Sequence, residues 1–300
     1  MDNKKTDMKY VVLLVSIVML GSCFGNLSQT ALNSMFAGMA QDFGVDAGVG
    51  QWVTTLYMLV LGITVPAVTY LMRRFVLKNV LIASLVLLVL GGVVDALAWN
   101  FGLLIVGRVL QAISAGITMP MMMSLIMTSV PPERQATAMG ISGIAMGFAP
   151  NIGPTIGGWM LETTGWRSFF VVLAFCSLLL TLVAIAVIKK TPPEDSQMRL
   201  DGISLLQSAL GFGGLLLGFS NASSYEFTSP FIWAPVIVGA IFLIFFIRRQ
   251  RRIEYPLIHL EIFHSKQYRV SFWASNFLYA SFMGITLIIP LYIENLWGGS

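Results

Sequence analysis

Residues 149–158 read APNIGPTIGG, inside a run from 136 to 161 made largely of Ala, Met, Ile and Phe. In water Gly153, Gly157, Gly158, Pro150 and Pro154 would break a helix, since Gly is about 1 kcal/mol and Pro about 3 kcal/mol worse than Ala there. In lipid they are tolerated where neighbouring helices re-satisfy the backbone. Gly153 and Gly157 form a GxxxG pair, which lets a second helix approach closely. With Gly140, Gly143 and Gly147 upstream, the glycines recur at mostly three- and four-residue spacing and predict one bare helix face. Pro154 lacks an N–H and sets its ring against the carbonyl of Pro150, which predicts a bend.

The rest of the chain agrees with a lipid setting. Of 300 residues, 56% are hydrophobic and 11% charged, with a mean hydropathy of +0.80. A soluble domain carries about 25% charged residues, so the outer face of this chain meets lipid. Open sheet cannot span a bilayer, and the apolar runs are too long and uniform for barrel strands. An all-α integral membrane bundle follows. Cys23 and Cys176 lie inside apolar runs, which argues against a disulfide framework. The start, MDNKKTDMKYVVLLVSIVML, reads as an uncleaved first span, because no small-residue cleavage site follows its basic region.

A membrane helix needs roughly 20 mainly apolar residues. Nine such spans are predicted, at 10–34, 48–72, 79–98, 101–128, 136–161, 166–188, 203–221, 230–248 and 270–293. If they alternate, 16 of the 18 Lys and Arg residues fall on one side, including Lys4, Lys5, Lys78, Arg134, Lys189, Arg199 and Arg252. By the positive-inside rule the N-terminus is cytoplasmic, and the basic residues need no nucleic-acid partner. Pro192 and Pro193 stop the sixth helix, which predicts a six-helix unit over 1–190. A linker and two-helix insert follow over 191–252, then a loop and one helix of an incomplete bundle over 253–300. An odd span count with a bare end predicts a truncated chain. The stretch RRQRRIEYPLIHLEIFHSK either lies on the inner leaflet with Leu257, Leu260 and Phe263 down or is a solvated basic loop.

Polar residues inside the spans carry the functional reading. Asn26, Gln29, Thr30 and Asn33 share one face of span 1, with Ser28 beside them. They bond a partner helix or line a wet cavity. Arg108 in span 4 stands well inside the membrane, where a charge costs about 2.5 kcal/mol or more. It either snorkels outward or joins a polar face with Gln111. Met119, Met121, Met122, Met123 and Met127 surround Pro120, either as a flexible ligand wall or as lipid-facing filler. Asp95, Glu162 and Glu294 stand near span ends, where water is expected to reach them. His259 and His264 sit in a loop without a metal-ligand or nucleophile–base pattern, no phosphate-binding loop stands out, and neither an enzyme nor a bound cofactor or metal is expected.

APNIGPTIGG resembles the antiporter motif of the major facilitator superfamily, with Gly153, Pro154, Gly157 and Gly158 matching and Ala149 at the first glycine. RVLQAISAG is similar to the family's Arg-x-x-Gln-Gly motif, through Arg108 and Gln111. QWVTTLYML, GWRSFF and LSQTALNSM resemble the fourteen-span drug:proton antiporters. Two departures stand out: Ser28 replaces the acid of the first-span motif, and TYLMRRFVL, with Thr69, Arg73 and Val76, loses most of the loop motif after span 2. The resemblance implies two six-helix bundles rocking about a central site and export of amphipathic small molecules, such as antibiotics, in exchange for protons. It implies a monomer in the plasma membrane, a cavity lined by Ser28, Gln29, Asn33, Thr54, Tyr57 and Met122, and coupling through Arg108 and Gln111. With Ser28 in place of the acid, the proton carrier is either an end carboxylate drawn inward, with Asp95 and Glu294 as candidates, or a residue in spans beyond this chain, the favoured expectation. Export of one metabolite or peptide-like compound, or a membrane sensor or assembly role without transport, remain the alternatives.

Overall fold

The computed structural model describes residues 8–46, 50, 52–193, 195, 200–222, 225–253 and 256–297. Lys4, Lys5 and Arg199 lie outside the described residues, and so does the side chain of Glu294. Among the described residues the chain forms nine α-helices: α1 (Met8–Phe43), α2 (Trp52–Arg74), α3 (Leu77–Ala96), α4 (Phe101–Ser129), α5 (Pro132–Thr163), α6 (Trp166–Val187), α7 (Gly202–Asn221), α8 (Pro230–Gln250) and α9 (Lys266–Trp297). A short 3-10 turn, Leu260–His264, precedes α9. Seven of the nine helices are long and apolar enough to cross a membrane; α5 and α9 are not among them. In α5 the glycines, prolines and polar ends dilute the apolar character, although its 32 residues give ample length.

Local signals start and stop these helices. The Asn100 side chain accepts from Leu103 N–H at 2.8 Å and caps α4, and Pro132 and Pro230 occupy first-turn positions of α5 and α8. α1 runs some nine residues past its expected end at 34 and stops at Gly44, whose φ of +62° suits glycine. The extension survives because Asp42 in its last turn is bonded by Trp166 and Arg167.

α1 packs on α5, α4 and α6; α3 packs on α4 and α6; α4 also packs on α2. The α7–α8 hairpin attaches through α2, where Thr55 Oγ1 and Ser220 Oγ lie 3.4 Å apart. Glycine allows the close crossings, as expected for helices in lipid. A Cβ at Gly157 would lie 2.6 Å from Ala31 O and from Ser34 Oγ, and one at Gly153 would collide with Thr30 Oγ1. Gly140, Gly143, Gly147 and Gly158, by contrast, face open space. The single bare face expected of α5 is therefore corrected: Gly153 and Gly157 seat α1, and the upstream glycines point elsewhere. α5 runs as one helix through Pro150 and Pro154, with Asn151 Nδ2 donating to Gly147 O at 2.6 Å.

Two apolar clusters fill the six-helix unit. One gathers Val18, Leu81, Leu85, Met121 and Ile126, and the other Leu32, Met35, Leu104, Trp166 and Phe170. Ser28 on α1, Asp95 on α3, and Arg108 and Gln111 on α4 fall between them. The 256–264 segment does not spend its apolar residues as an outward row: Leu257 is buried, and Phe263 meets Tyr268 and Phe272 edge to face.

Candidate functional site

Arg108 and Gln111 stand three residues apart on α4 and so share one helix face. Both are buried, Arg108 at 1% exposure. Arg108 Nη1 donates to Gln111 Oε1 at 2.6 Å, to Ser28 Oγ at 2.7 Å and to Ser28 O at 3.3 Å. The Ser28 hydroxyl donates in turn to Gln111 Oε1 at 2.6 Å. On the far side of the amide, Gln111 Nε2 donates to Asp95 Oδ2 at 2.8 Å. Below the guanidinium lies the Tyr57 ring, 4.5 Å from Cζ, and the Tyr57 hydroxyl donates to Gly25 O at 3.2 Å. Four helices thus meet at one polar node.

Snorkelling by Arg108 is excluded, because the charge is satisfied inside the bundle. Asp95 corrects the expectation of a water-exposed end carboxylate: its exposure is 0%. The reason is the α3–α4 crossing. A Cβ at Gly91 would lie 2.6 Å from Gln111 Cγ and 2.7 Å from Gly107 O, and one at Gly107 would collide with Asp95 Oδ1. Gly91 and Gly107 let the helices close over the carboxylate. A glycine one turn before the acid, opposite a glycine next to the arginine, is the sequence signal that would have placed Asp95 in the site.

The node is chemically asymmetric. Its amide links a carboxylate to a guanidinium that it does not separate from α1. Asp95 Oδ1 and Arg108 Nε have no hydrogen-bond partner. With Asp95 ionised the node is neutral; a proton on the free Oδ1 would leave one net positive charge facing Ser28 and Tyr57. The node therefore ties α3 and α4 to α1 through Ser28 and to α2 through the Tyr57 ring.

The other expected residues are more dispersed. Met122 is 1% exposed and belongs to an apolar cluster. Asn33 is exposed, whereas Gln29 and Thr54 are half-buried. Thr30 bonds back to its own helix at Asn26 O, and Asn26 Nδ2 reaches Met146 Sδ at 3.5 Å. Asn26 and Thr30 of the face expected of span 1 therefore meet α5, while Ser28 and Gly25 O serve the node. Among the described residues no three His, Cys, Asp or Glu side chains gather as metal ligands would.

Two further charged groups were not anticipated. At the end of the bundle nearest Asp95, Asp42 Oδ2 accepts from Trp166 Nε1 at 2.8 Å and from Arg167 Nη1 at 3.0 Å, and Arg167 Nη2 donates to Ala98 O at 3.1 Å. At the opposite end, Arg249 grips Asp201 through Nε at 2.6 Å and Nη2 at 2.9 Å. Gln250 continues that cluster, donating to Ser204 Oγ and accepting from Leu257 N–H and Ile258 N–H. The Arg249 side chain holds the Asp201 carboxyl down at about 2.

The sequence matches those of known proteins. The Major Facilitator Superfamily family model matches residues 18–298. The chain is 36% identical over 285 residues to YcnB, an uncharacterised MFS-type transporter of Bacillus subtilis, covering 95% of this chain and 60% of that protein. It is 33% identical over 294 residues to the lincomycin resistance protein LmrB of Bacillus subtilis, covering 97% and 61%. Similarity to the multidrug export protein EmrB of Haemophilus influenzae is 24% over 288 residues, covering 96% and 56%. The chain thus spans little more than half to three-fifths of the length of these relatives.

Proposed function

The chain belongs to the major facilitator superfamily, a family of multi-pass membrane transporters of small molecules rather than enzymes, and from that premise we propose that it exports amphipathic drugs or other toxic compounds in exchange for protons. The observation that carries the proton part is the buried Asp95 carboxylate, tied through Gln111 to Arg108 with one oxygen unpartnered. Arg108 reads the charge state of Asp95 and passes it to α1 through Ser28. Relatives named for lincomycin resistance and multidrug export support the substrate class.

The rest of the reading follows the charge pattern and the helix packing. The N-terminus is cytoplasmic, because 16 of 18 basic residues lie in loops of one side, and the protein acts as a monomer in the plasma membrane. Residues 1–190 move as one bundle, 191–252 form the linker and insert, and 253–300 begin a second bundle. Gln29, Asn33 and Thr54 line the substrate route beside the node, and Gly153, Pro154, Gly157 and Gly158 shape its α5 wall. Burial of Met122 leaves fewer flexible side chains for an adaptable wall, which favours, as the second reading, export of one metabolite on the same scaffold.

The test is substrate-dependent proton flux by the complete transporter in vesicles, across a panel of drugs and metabolites. Flux with several unrelated amphiphiles, lost in Asp95→Asn while substrate binding persists, is the expected result. Unchanged flux in Asp95→Asn removes Asp95 as the carrier, and flux with a single compound selects the metabolite reading.

A further inference from the structure

We infer that Asp42, Trp166 and Arg167 form an openable latch over the outer route to Asp95, and that protons exchange between Asp95 and the outside only when it parts. The inference rests on the proposed role of Asp95 and adds the element that controls access to it. Arg167 Nη2 is anchored on Ala98 O, and Ala98 N–H donates to Asp95 O at 3.2 Å. The latch therefore grips the turn that leaves the buried carboxylate. Beneath it Phe169, Phe170 and Leu104 are buried with Ala98 in the apolar cluster that also holds the Trp166 ring.

The latch is poised rather than permanent. Asp42 sits in the last turn of α1 and Arg167 in the first turn of α6. A helix dipole disfavours an acid at its C-terminal end and a base at its N-terminal end. Each charge is thus misplaced on its own helix and is held by the other. Their side chains are 47% and 44% exposed, and exposed ion pairs contribute little net stability. The guanidinium also stacks 4.2 Å from the Trp166 ring and 5.7 Å from the Phe43 ring, contacts that survive small movements. Gly44 and Gly165, the positive-φ residues among those described, bracket the latch at the end of α1 and the start of α6. The joints fall where a latch needs them.

A structural staple would use the same bonds but would never open, and accessibility separates the two. The complete transporter, with Cys23 and Cys176 changed to Ser, is placed in vesicles and exposed from the Asp42 side to an impermeant carbodiimide plus an amine. Modification of Asp95 is read by peptide mass. Arg167→Gln should raise the rate about tenfold, the equivalent of about 1.4 kcal/mol, and Arg167→Lys should raise it less. In Asp42→Cys/Arg167→Cys, a cleavable bifunctional cross-linker should suppress both modification and substrate-dependent proton flux, and reductant should restore both. Equal modification with the cross-link closed and cleaved overturns the latch, and does so even if Arg167→Gln fails to fold. Because modification reports access and not transport, its outcome stands apart from whether Asp95→Asn loses flux.

Discussion

Two arginine–aspartate arrangements in this molecule use the same groups in opposite ways. Arg249 and Asp201 touch directly through two hydrogen bonds at the end of the α7–α8 hairpin. Arg108 and Asp95 are joined through the Gln111 amide, in the middle of the six-helix unit. The direct pair is a clip: planar fork against carboxylate, with both charges near water and the acid held down at about 2. The indirect pair keeps one carboxylate oxygen and one guanidinium nitrogen unpartnered. Groups buried without full satisfaction are costly, and they are retained where a change of state is used. The clip fixes geometry, whereas under the proposed function the node alternates.

The largest expected effect comes from breaking the indirect pair. Arg108→Ala leaves Asp95 buried without its countercharge, which costs about 3–5 kcal/mol; transport by the complete protein should fall by at least about a hundredfold, read as substrate uptake into inverted vesicles. Arg108→Lys keeps the charge but loses the fork and its stacking on Tyr57, so a partial loss of about tenfold is expected. Full activity of the alanine variant would return Arg108 to a structural role.

Gly157→Leu leaves every charge in place and displaces α1, which carries Ser28. The Cβ alone would lie 2.6 Å from Ala31 O. The protein should still insert, as judged by membrane fractionation, while transport is lost. Wild-type kinetics would mean that the seat of α1 does not matter to the node.

Moving the carboxylate sharpens the comparison further. In Ser28→Asp/Asp95→Asn the acid would sit directly against Arg108 Nη1, turning the indirect pair into a clip-like one. Proton-coupled transport should return to about a tenth of wild type, since the guanidinium fork would grip the carboxylate directly and the pair would part less readily. Recovery to wild-type rates would show that the amide spacing is dispensable.

The smallest effect belongs to the clip. Asp201→Asn should change transport by no more than about twofold, because a pair at the water edge contributes little. Its stabilising contribution has a definite sign with pH. The folded carboxyl lies at about 2 against an ordinary value of 3.8, so the contribution is complete above about 3.8 and is lost as pH falls through about 2. Acid unfolding of wild type and Asp201→Asn should therefore converge in that window and differ above it.

Much of this protein is decided locally. Long apolar runs become helices because lipid offers the backbone no other partner, so nine elements could be placed from sequence, with α1 the clearest error in length. Arg108 and Gln111 could be paired from their spacing, since three residues make a helical turn whatever surrounds it. Gly153 and Gly157 announced a close contact, but the partner, α1, depends on how helices distant in sequence meet. The same holds for Asp95. One residue from the end of α3, it read as a carboxylate in water. Only the crossing of α3 on α4, at Gly91 and Gly107, closes water out and brings the acid to Gln111. Periodicity along one helix is written in its sequence; the depth of a side chain is set by how near the neighbouring helix comes, and that distance belongs to the tertiary structure.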